Sequence, residues 1–190
     1  NSDRNTSEDL YGQVVSDDPA TFIYTSGTTG PPKAVMLSNN NLVWTASQAT
    51  DMLKLTSDNT SLSYLPLSHI AEQMFTIHAP IIAGWKVYFA TGMLDVLDNL
   101  KEVQPTILFG VPRIWEKFYA GLKEKLGEAS GIKKKIVDFS LNAGWEHSSD
   151  IFQGGAGGGW KYGLANKLLF SKVKQLLGLN NLTVGVTGAA

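Results

Sequence analysis

Short runs of β-branched and aromatic residues alternate along this chain with longer stretches of helical periodicity. The short runs predict strands at 20–25, 33–38, 61–65, 85–90, 106–111 and 182–188. The longer stretches predict helices at 41–55, 69–84, 93–105, 112–126 and 164–177. Strands that alternate with helices usually lie parallel in one sheet. The order therefore predicts an α/β fold with a layered, mostly parallel sheet flanked by helices.

Individual residues predict where several of these helices begin and end. Asn39 and Asn40 suit the N-cap of the first helix, because an amide side chain can accept a hydrogen bond from the first turn. Pro112 suits a first helical turn, where no backbone N–H is needed. Gly84 and Pro105 are expected to end the helices that precede them.

Composition narrows the class of protein. At 190 residues, with 43% hydrophobic and 17% charged residues, the chain can bury one or two cores. The net charge of −1 gives no sign of a nucleic-acid partner, and the lack of cysteine excludes disulfides, thiolate catalysis and cysteine-bound zinc. No signal peptide or apolar run of about 20 residues is recognisable. These features predict a soluble, cytoplasmic protein, and the polar lead-in at 1–16 suggests that the sequence begins mid-protein.

The stretch from Thr25 to Lys33, TSGTTGPPK, lies between two predicted strands and has the composition of a phosphate-binding loop. Glycines let backbone N–H groups approach an anion, hydroxyls add donors, and a lysine adds positive charge. A Walker A loop is excluded, because Pro32 precedes Lys33 and Ala34 follows it. From composition alone, an ordinary turn rich in glycine, threonine and proline remains an equal alternative.

In its order, this run resembles the signature of the acyl-adenylate-forming, or AMP-binding, superfamily. Ala34 departs from the glycine usual there, which puts the opening kinetics of the loop in doubt. The segments SYLPLSHIAEQ and GVPRIWEKF resemble the long-chain fatty acyl-CoA synthetases, and together with SGIKKKI they resemble the bubblegum-type branch. The terminal TGAA resembles the start of a turn that borders the nucleotide and acyl pockets.

The resemblance implies a long-chain fatty acid–CoA ligase that uses ATP, Mg²⁺ and coenzyme A. The expected partners are a long-chain fatty acid, ATP and coenzyme A. The implied ATP- and phosphate-binding residues are Thr25, Ser26, Gly27, Thr28, Thr29, Gly30 and Lys33. The implied substrate and nucleotide pocket contains His69, Glu72, Arg113, Gly188, Ala189 and Ala190, with His69 also a candidate catalytic residue.

The resemblance also implies that residues 17–190 are part of a large N-terminal AMP-binding domain. The Thr-Glu pair for magnesium, the aspartate for the ribose and the C-terminal domain with its adenylation lysine are absent from the sequence. No metal site is therefore expected in this chain, and the isolated chain is expected not to complete the reaction. An adenylate-forming ligase for an aryl acid and a non-catalytic ATP-binding module remain the alternatives.

Several residues also have plain structural interpretations. His69 could be a hydrogen-bonded residue near a helix start, and Arg113 could lie on the surface of a helix N-terminus. His78 and His147 are expected to be structural or exposed, and the tryptophans to be core or interface residues. The basic run 113–135 predicts a solvated helix face, with contact to an anionic intracellular membrane as the alternative. The glycine-rich stretch 153–163 predicts a mobile surface loop.

Overall fold

The computed structural model describes residues 11–25 and 30–188. The chain forms two compact units, of which the first ends at Phe89 and the second begins at Ala90. Strands and helices alternate in both units, and each unit contains a parallel pair of strands. The predicted α/β class with mostly parallel strands is therefore confirmed.

A β-hairpin opens the first unit. Strand β1, Pro19–Thr25, pairs antiparallel with β2, Lys33–Ser38, and the register places Thr25 opposite Lys33. Both strands lie where the sequence predicts them. The hairpin therefore brings the two ends of the TSGTTGPPK run together at one end of the ladder.

Helix α1, Asn39–Leu53, follows β2 directly. The predicted N-caps are wrong, because Asn39 and Asn40 lie inside the helix and Ser38 caps it. The Ser38 hydroxyl accepts from the Asn41 N–H at 3.3 Å, and the Asn41 side chain accepts from the Ser38 N–H at 3.1 Å. The Asn39 side chain instead donates to the Val15 carbonyl at 3.1 Å, and so binds the segment that precedes β1.

The rest of the first unit is a β-helix-β crossover. Strand β3, Thr60–Ser63, lies parallel to β4, Lys86–Phe89. The helical path between them consists of α2, Ile70–Gln73, a π-helical turn, Met74–His78, and α3, Ala79–Ala83. The predicted stop at Gly84 is confirmed, because this residue caps α3 with a left-handed backbone at φ 82°.

In the second unit, helix α4, Val96–Val103, ends just before Pro105, as predicted. The fully buried strand β5, Ile107–Gly110, follows, and helix α5, Pro112–Gly127, has its proline in the first turn. Strand β6, Val184–Thr187, lies parallel to β5 with Gly110 opposite Thr187. The Trp115 indole N–H donates to the Gly110 carbonyl at 3.0 Å and fastens the start of α5 to the end of β5.

The longest helix, α6 at Gly131–Phe152, has no counterpart in the sequence prediction. The glycine-rich segment that follows forms a turn before α7, Trp160–Ala165, a π-helical turn, Asn166–Phe170, and α8, Ser171–Leu177. In this turn the Gly157 N–H donates to the Asp150 carboxylate at 2.9 Å, and the Gly158 N–H donates to His147 Nδ1 at 2.6 Å. The predicted loop is thus present at 153–159, but it is wrong for 160–163, which form the start of α7. The mobility of the loop stays a prediction.

The tryptophans do not share one environment. Trp85 is 5% exposed, and its indole N–H donates to the Ser61 hydroxyl at 3.1 Å, so it is a core residue as predicted. The core part of the prediction is wrong for three others, whose side chains are largely exposed, and an interface role for them stays a prediction: Trp44, Trp145 and Trp160.

Candidate functional site

The base of the glycine–threonine loop is formed by the facing residues Thr25 and Lys33. The Thr25 hydroxyl donates to the Lys33 carbonyl at 3.4 Å across the hairpin. Lys33 is exposed and belongs to none of the ion pairs that the described residues form. A hydroxyl from one strand and an ammonium from the other are therefore attached side by side where the loop begins and ends.

Not all of the loop can be placed. Ser26, Gly27, Thr28 and Thr29 lie outside the described residues. Gly30 is described and exposed, and a β-carbon added to it would meet no atom of the described residues within 4 Å. The contacts of the loop with phosphate stay predictions.

His69 lies at the start of α2, as both interpretations of it require. The residue is exposed, and its Nδ1 atom accepts a hydrogen bond from the Ala71 N–H at 3.2 Å. This contact makes His69 the N-cap of α2, so a structural role is present. Because Nδ1 is the acceptor, Nε2 is the nitrogen that carries the proton in the neutral ring. A role of His69 in an acyl pocket stays a prediction.

Glu72 is a buried carboxylate, with only 2% of its surface exposed. Its Oε1 atom accepts three hydrogen bonds, from the Ser63 hydroxyl at 2.7 Å, the Tyr64 N–H at 3.1 Å and the Thr76 hydroxyl at 3.1 Å. A buried charge is costly unless it is hydrogen-bonded in this way. Through these hydrogen bonds, Glu72 links the end of β3 to the helix that follows His69.

The partners of Glu72 are functional candidates that the sequence interpretation missed. Ser63 ends β3 and Thr76 lies in the π-helical turn, so they come from different elements. An acidic residue within the mostly apolar stretch that follows His69 was the available signal. Such a residue indicates a buried polar network, but it does not reveal which hydroxyls complete it.

Arg113 and Gly188 both follow the carboxyl ends of the parallel strands β5 and β6. Gly110 and Thr187 face each other across the ladder, and the chain continues from them to Arg113 in the first turn of α5 and to Gly188. The carboxyl ends of parallel strands are where ligands bind in open α/β sheets. Arg113 is exposed at the helix N-terminus, as its structural interpretation expects, and Ala189 and Ala190 lie outside the described residues.

The predicted site residues are divided between the two units. Lys33, His69 and Glu72 belong to the first unit, and Arg113 and Gly188 belong to the second. Within each unit they lie at loop bases, at helix starts or just after strand ends.

The remaining histidines, His78 and His147, are both half-buried. No group of three His, Asp or Glu side chains comes together within residues 11–25 and 30–188. His78 is half-buried, and burial lowers the pKa of its imidazole. In the part of the chain that the structure describes, its Nε2 atom has no hydrogen-bond partner. His147 is half-buried and stacks on Tyr162, with ring centres 3.7 Å apart, so both histidines fit structural roles.

The structure also bears on whether any helix could cross a membrane. Among the helices of the described residues, none is both long enough and apolar enough to span a bilayer.

Comparison with curated proteins gives relatives along most of the chain. It is 43% identical over 175 residues to the human long-chain-fatty-acid–CoA ligase ACSBG2, covering 90% of this chain and 26% of that protein. It is 38% identical over 185 residues to long chain acyl-CoA synthetase 4 of Arabidopsis thaliana, covering 91% of this chain and 26% of that protein. The chain thus spans about a quarter of the length of the curated relatives it matches.

Solved structures share part of the fold. A malonyl-CoA ligase in a ternary product complex with methylmalonyl-CoA and AMP matches 62% of this chain and 25% of that chain, with a TM-score of 0.52 and 28% identity. ATP-bound MatB from Rhodopseudomonas palustris matches 54% of this chain and 20% of that chain, with a TM-score of 0.50 and 30% identity.

The family comparison covers nearly the whole chain. The model of the AMP-binding enzyme family matches residues 2–185 of the 190. This match includes the TSGTTGPPK run, the His69 segment and the start of α5, on which the resemblance was based. The resemblance to the superfamily is confirmed, and the chain belongs to the AMP-binding enzyme family.

Proposed function

We propose that this chain is part of a long-chain fatty acid–CoA ligase and supplies its phosphate-binding loop and part of its acyl pocket. The observation that carries the proposal is the hairpin, which sets the exposed Lys33 beside Thr25 at the base of the glycine–threonine loop. Curated relatives named as long-chain fatty acid ligases support the substrate class.

The reaction has two steps. In the first, a carboxylate oxygen of the fatty acid attacks the α-phosphorus of ATP, and pyrophosphate leaves as the acyl-adenylate forms. In the second, the thiol sulfur of coenzyme A attacks the acyl carbonyl carbon, and AMP leaves as the thioester forms. Most of the protein's contribution to the first step is positioning and charge neutralisation.

On this proposal, the loop from Thr25 to Gly30 and Lys33 holds the β- and γ-phosphates of ATP. Backbone N–H groups and hydroxyls of the loop donate to phosphate oxygens, and the Lys33 ammonium offsets negative charge. The Thr25 hydroxyl joins them by exchanging its long bond to the Lys33 carbonyl for one to phosphate. Fixing the leaving pyrophosphate in this way favours in-line displacement at the α-phosphorus. The residues assigned to this role are Thr25, Ser26, Gly27, Thr28, Thr29, Gly30 and Lys33.

The other proposed residues are assigned to substrate contact, each within its own unit. The protonated Nε2 of the exposed His69 is free to donate to a carboxylate or acyl oxygen, while Nδ1 is held by Ala71. The residues assigned to this role are His69 in the first unit and Arg113, Gly188, Ala189 and Ala190 in the second. Glu72 is only 2% exposed, so it is assigned to holding the segment that carries His69 and not to substrate contact. Residues 17–190 are accordingly assigned to part of the large N-terminal domain.

Mg²⁺ and coenzyme A are proposed as partners of the complete enzyme. The described residues do not offer the cluster of carboxylates that Mg²⁺ prefers, so no ligand is assigned to it here. Mg²⁺ would neutralise charge on the phosphates of ATP, and the residues of this chain would bind and orient the same phosphates.

We also propose a cytoplasmic location with peripheral contact to an anionic membrane, where a long-chain substrate is dissolved. In the second unit, a groove of about 560 Å³ is lined by Met93 and Leu94. Its charged lining residues are Lys101, Lys117 and Lys125, together with Asp98 and Glu124, and Lys101 is paired with Asp98. Leu94 is 93% exposed. Apolar tips next to lysines suit the boundary between lipid headgroups and acyl chains.

Vesicle sedimentation tests this contact. Leu94→Ser should lower the fraction of protein bound to phosphatidylserine vesicles. Phe152→Ser is the matched control, because Phe152 is also 93% exposed but does not line the groove. Equal effects of the two substitutions on the bound fraction would count against the contact. So would a bound fraction that is the same with and without phosphatidylserine in the vesicles.

The main proposal is tested by pyrophosphate release from the complete polypeptide that carries this chain. Palmitate should support release with ATP and Mg²⁺, and benzoate should not. Lys33→Ala should slow release, whereas Lys86→Ala, an exposed lysine on β4, should not. Release with benzoate alone would favour an aryl-acid ligase. No release with either acid, together with a melting temperature raised by ATP, would favour a non-catalytic ATP-binding module.

A further inference from the structure

The segment that carries His69 is fastened on both sides by one buried residue. Glu72 lies three positions after His69 on α2, and its Oε1 atom reaches back to Ser63 and Tyr64, where β3 ends. The bonds measure 2.7 Å to the Ser63 hydroxyl and 3.1 Å to the Tyr64 N–H. The residues between Tyr64 and His69 therefore form a loop whose two ends are joined through this carboxylate.

Further hydrogen bonds shape the loop from within. The Gln73 amide donates to the Leu67 carbonyl at 2.7 Å, and the His69 N–H donates to the Pro66 carbonyl at 3.0 Å. The Ala71 N–H donates to His69 Nδ1 at 3.2 Å. The exposed imidazole is thus held by its own helix, and the helix is held to β3 by Glu72.

A carboxylate suits this position better than a neutral side chain would. One oxygen accepts all three donors, and hydroxyl donors to a charged oxygen make short, strong bonds such as the 2.7 Å contact with Ser63. With 2% exposure, Glu72 presents almost no surface of its own to solvent. These contacts hold in place the segment that carries His69, and they leave Glu72 little surface with which to touch a substrate.

We propose that Glu72 is a positioning residue that acts on the acyl step through His69. It holds the loop so that Nδ1 of His69 stays the acceptor of the Ala71 N–H and the protonated Nε2 faces the substrate side. This inference rests on the proposed function, because it takes His69 to border the acyl pocket. It gives Glu72 a role different from that of a pocket-lining residue.

The kinetic test uses Glu72→Ala, Glu72→Gln and His69→Ala in the complete polypeptide. Glu72→Ala should lower kcat/KM for palmitate by about 10- to 100-fold, the range for losing hydrogen bonds to a charged group, and leave KM for ATP nearly unchanged. Glu72→Gln keeps an oxygen at the same position and should recover much of the loss. In a His69→Ala background, Glu72→Ala should have an effect of less than about threefold, because the two residues act as one unit.

Trp85→Phe is the matched control. It removes another buried hydrogen bond to β3, the one between the indole N–H and the Ser61 hydroxyl, and it should lower the melting temperature without changing kcat/KM for palmitate. An effect of Glu72→Ala that is as large in the His69→Ala background as in the wild type would overturn the proposal. The proposal would also be overturned if Glu72→Ala and Trp85→Phe lowered kcat/KM for palmitate by the same amount for a given drop in melting temperature.

A spectroscopic measurement separates this proposal from the proposed function. In protein with ¹⁵N-labelled histidine at pH 8, the resonances that His69→Ala removes should show a single neutral form with the proton on Nε2. Glu72→Gln should largely keep this form, whereas Glu72→Ala, or Thr76→Val if Glu72→Ala does not fold, should mix the two tautomers. An unchanged tautomer in Glu72→Ala, or in Thr76→Val where that variant replaces it, would overturn the positioning role, even in an active enzyme. A wild-type protein that activates no fatty acid would refute the proposed function, and the tautomer measurement would still decide the role of Glu72.

Discussion

Gly110 is the position where adding one methyl group should have the clearest structural cost. A β-carbon built on this residue would lie 2.5 Å from Trp115 Nε1 and 2.6 Å from Trp115 Cε2. The same indole N–H donates to the Gly110 carbonyl at 3.0 Å, so the ring cannot move away and also keep this bond. Gly110→Ala must therefore displace either the buried strand β5 or the first turns of α5.

The size of the effect follows from these two contacts. Overpacking typically costs about 1–3 kcal/mol, and a lost hydrogen bond costs about 0.5–1.5 kcal/mol. Gly110→Ala should therefore lower the free energy of unfolding by roughly 2–4 kcal/mol. For a domain of this size, that corresponds to about 4–16 °C in melting temperature. The melting temperature is measured by circular dichroism at 222 nm.

Two further variants make this prediction specific. Gly121→Ala, in the middle of α5 with no atom within 4 Å of the added carbon, should be neutral or stabilise by about 0.5–1 kcal/mol. In a Trp115→Ala background, Gly110→Ala should cost less than about 0.5 kcal/mol, because the clash and the hydrogen bond are both gone. An equal cost in both backgrounds, or a melting temperature that does not change in the single variant, would refute the steric reasoning.

Three other predictions concern the site and the pH dependence. Lys33→Ala should slow acyl-adenylate formation by roughly 10- to 150-fold, the equivalent of about 1.5–3 kcal/mol, with the fold intact; an unchanged burst in a pre-steady-state pyrophosphate assay would remove Lys33 from the site. His69→Ala should change turnover or chain-length preference across C8 to C20 acids more than KM for ATP, and a rise in KM for ATP alone would contradict the placement. Burial lowers the pKa of His78 below its usual 6.5, so the unfolded chain takes up a proton before the folded one, and stability should fall as the pH drops from about 6.5 through the lowered pKa. Urea midpoints at pH 7.5 and pH 5 should therefore differ less in His78→Asn than in the wild type, and equal differences would exclude His78 as the source.

The parts of the fold that depend on local chemistry could be predicted from the sequence. Strand β2 lies at the predicted residues 33–38, and two helices stop at or just before Gly84 and Pro105, because glycine and proline restrict the backbone wherever they occur. Helix α6 could not be assigned with the same ease. It opens on Gly131 and contains Gly144 and several serines, so its intrinsic preference for a helix is weak.

The details that were wrong or missed depend on contacts between distant residues. Ser38, Asn39 and Asn40 are all good N-caps. Ser38 takes this place in a capping box with Asn41, and the Asn39 side chain instead bonds to Val15, 24 residues away. The burial of Glu72 likewise depends on hydroxyls from two other elements. The His69 motif could be found by its order, but the support beneath it could not be identified before the chain was folded.

The glycine-rich turn after α6 differs from a flexible spacer, because some of its positions have no room for a larger side chain. A β-carbon at Gly155 would overlap the Asp150 carboxylate, and one at Gly157 would lie 2.7 Å from both His147 and Ile151. Gly157 also has a left-handed backbone, at φ 65°, so a larger residue there would be strained as well as crowded. At Gly155 a larger residue would displace the Asp150 carboxylate, which accepts from the Gly157 N–H. Engineers who replace this stretch with a generic glycine–serine linker, or insert a fluorescent protein into it, would remove a fitted connection between α6 and α7.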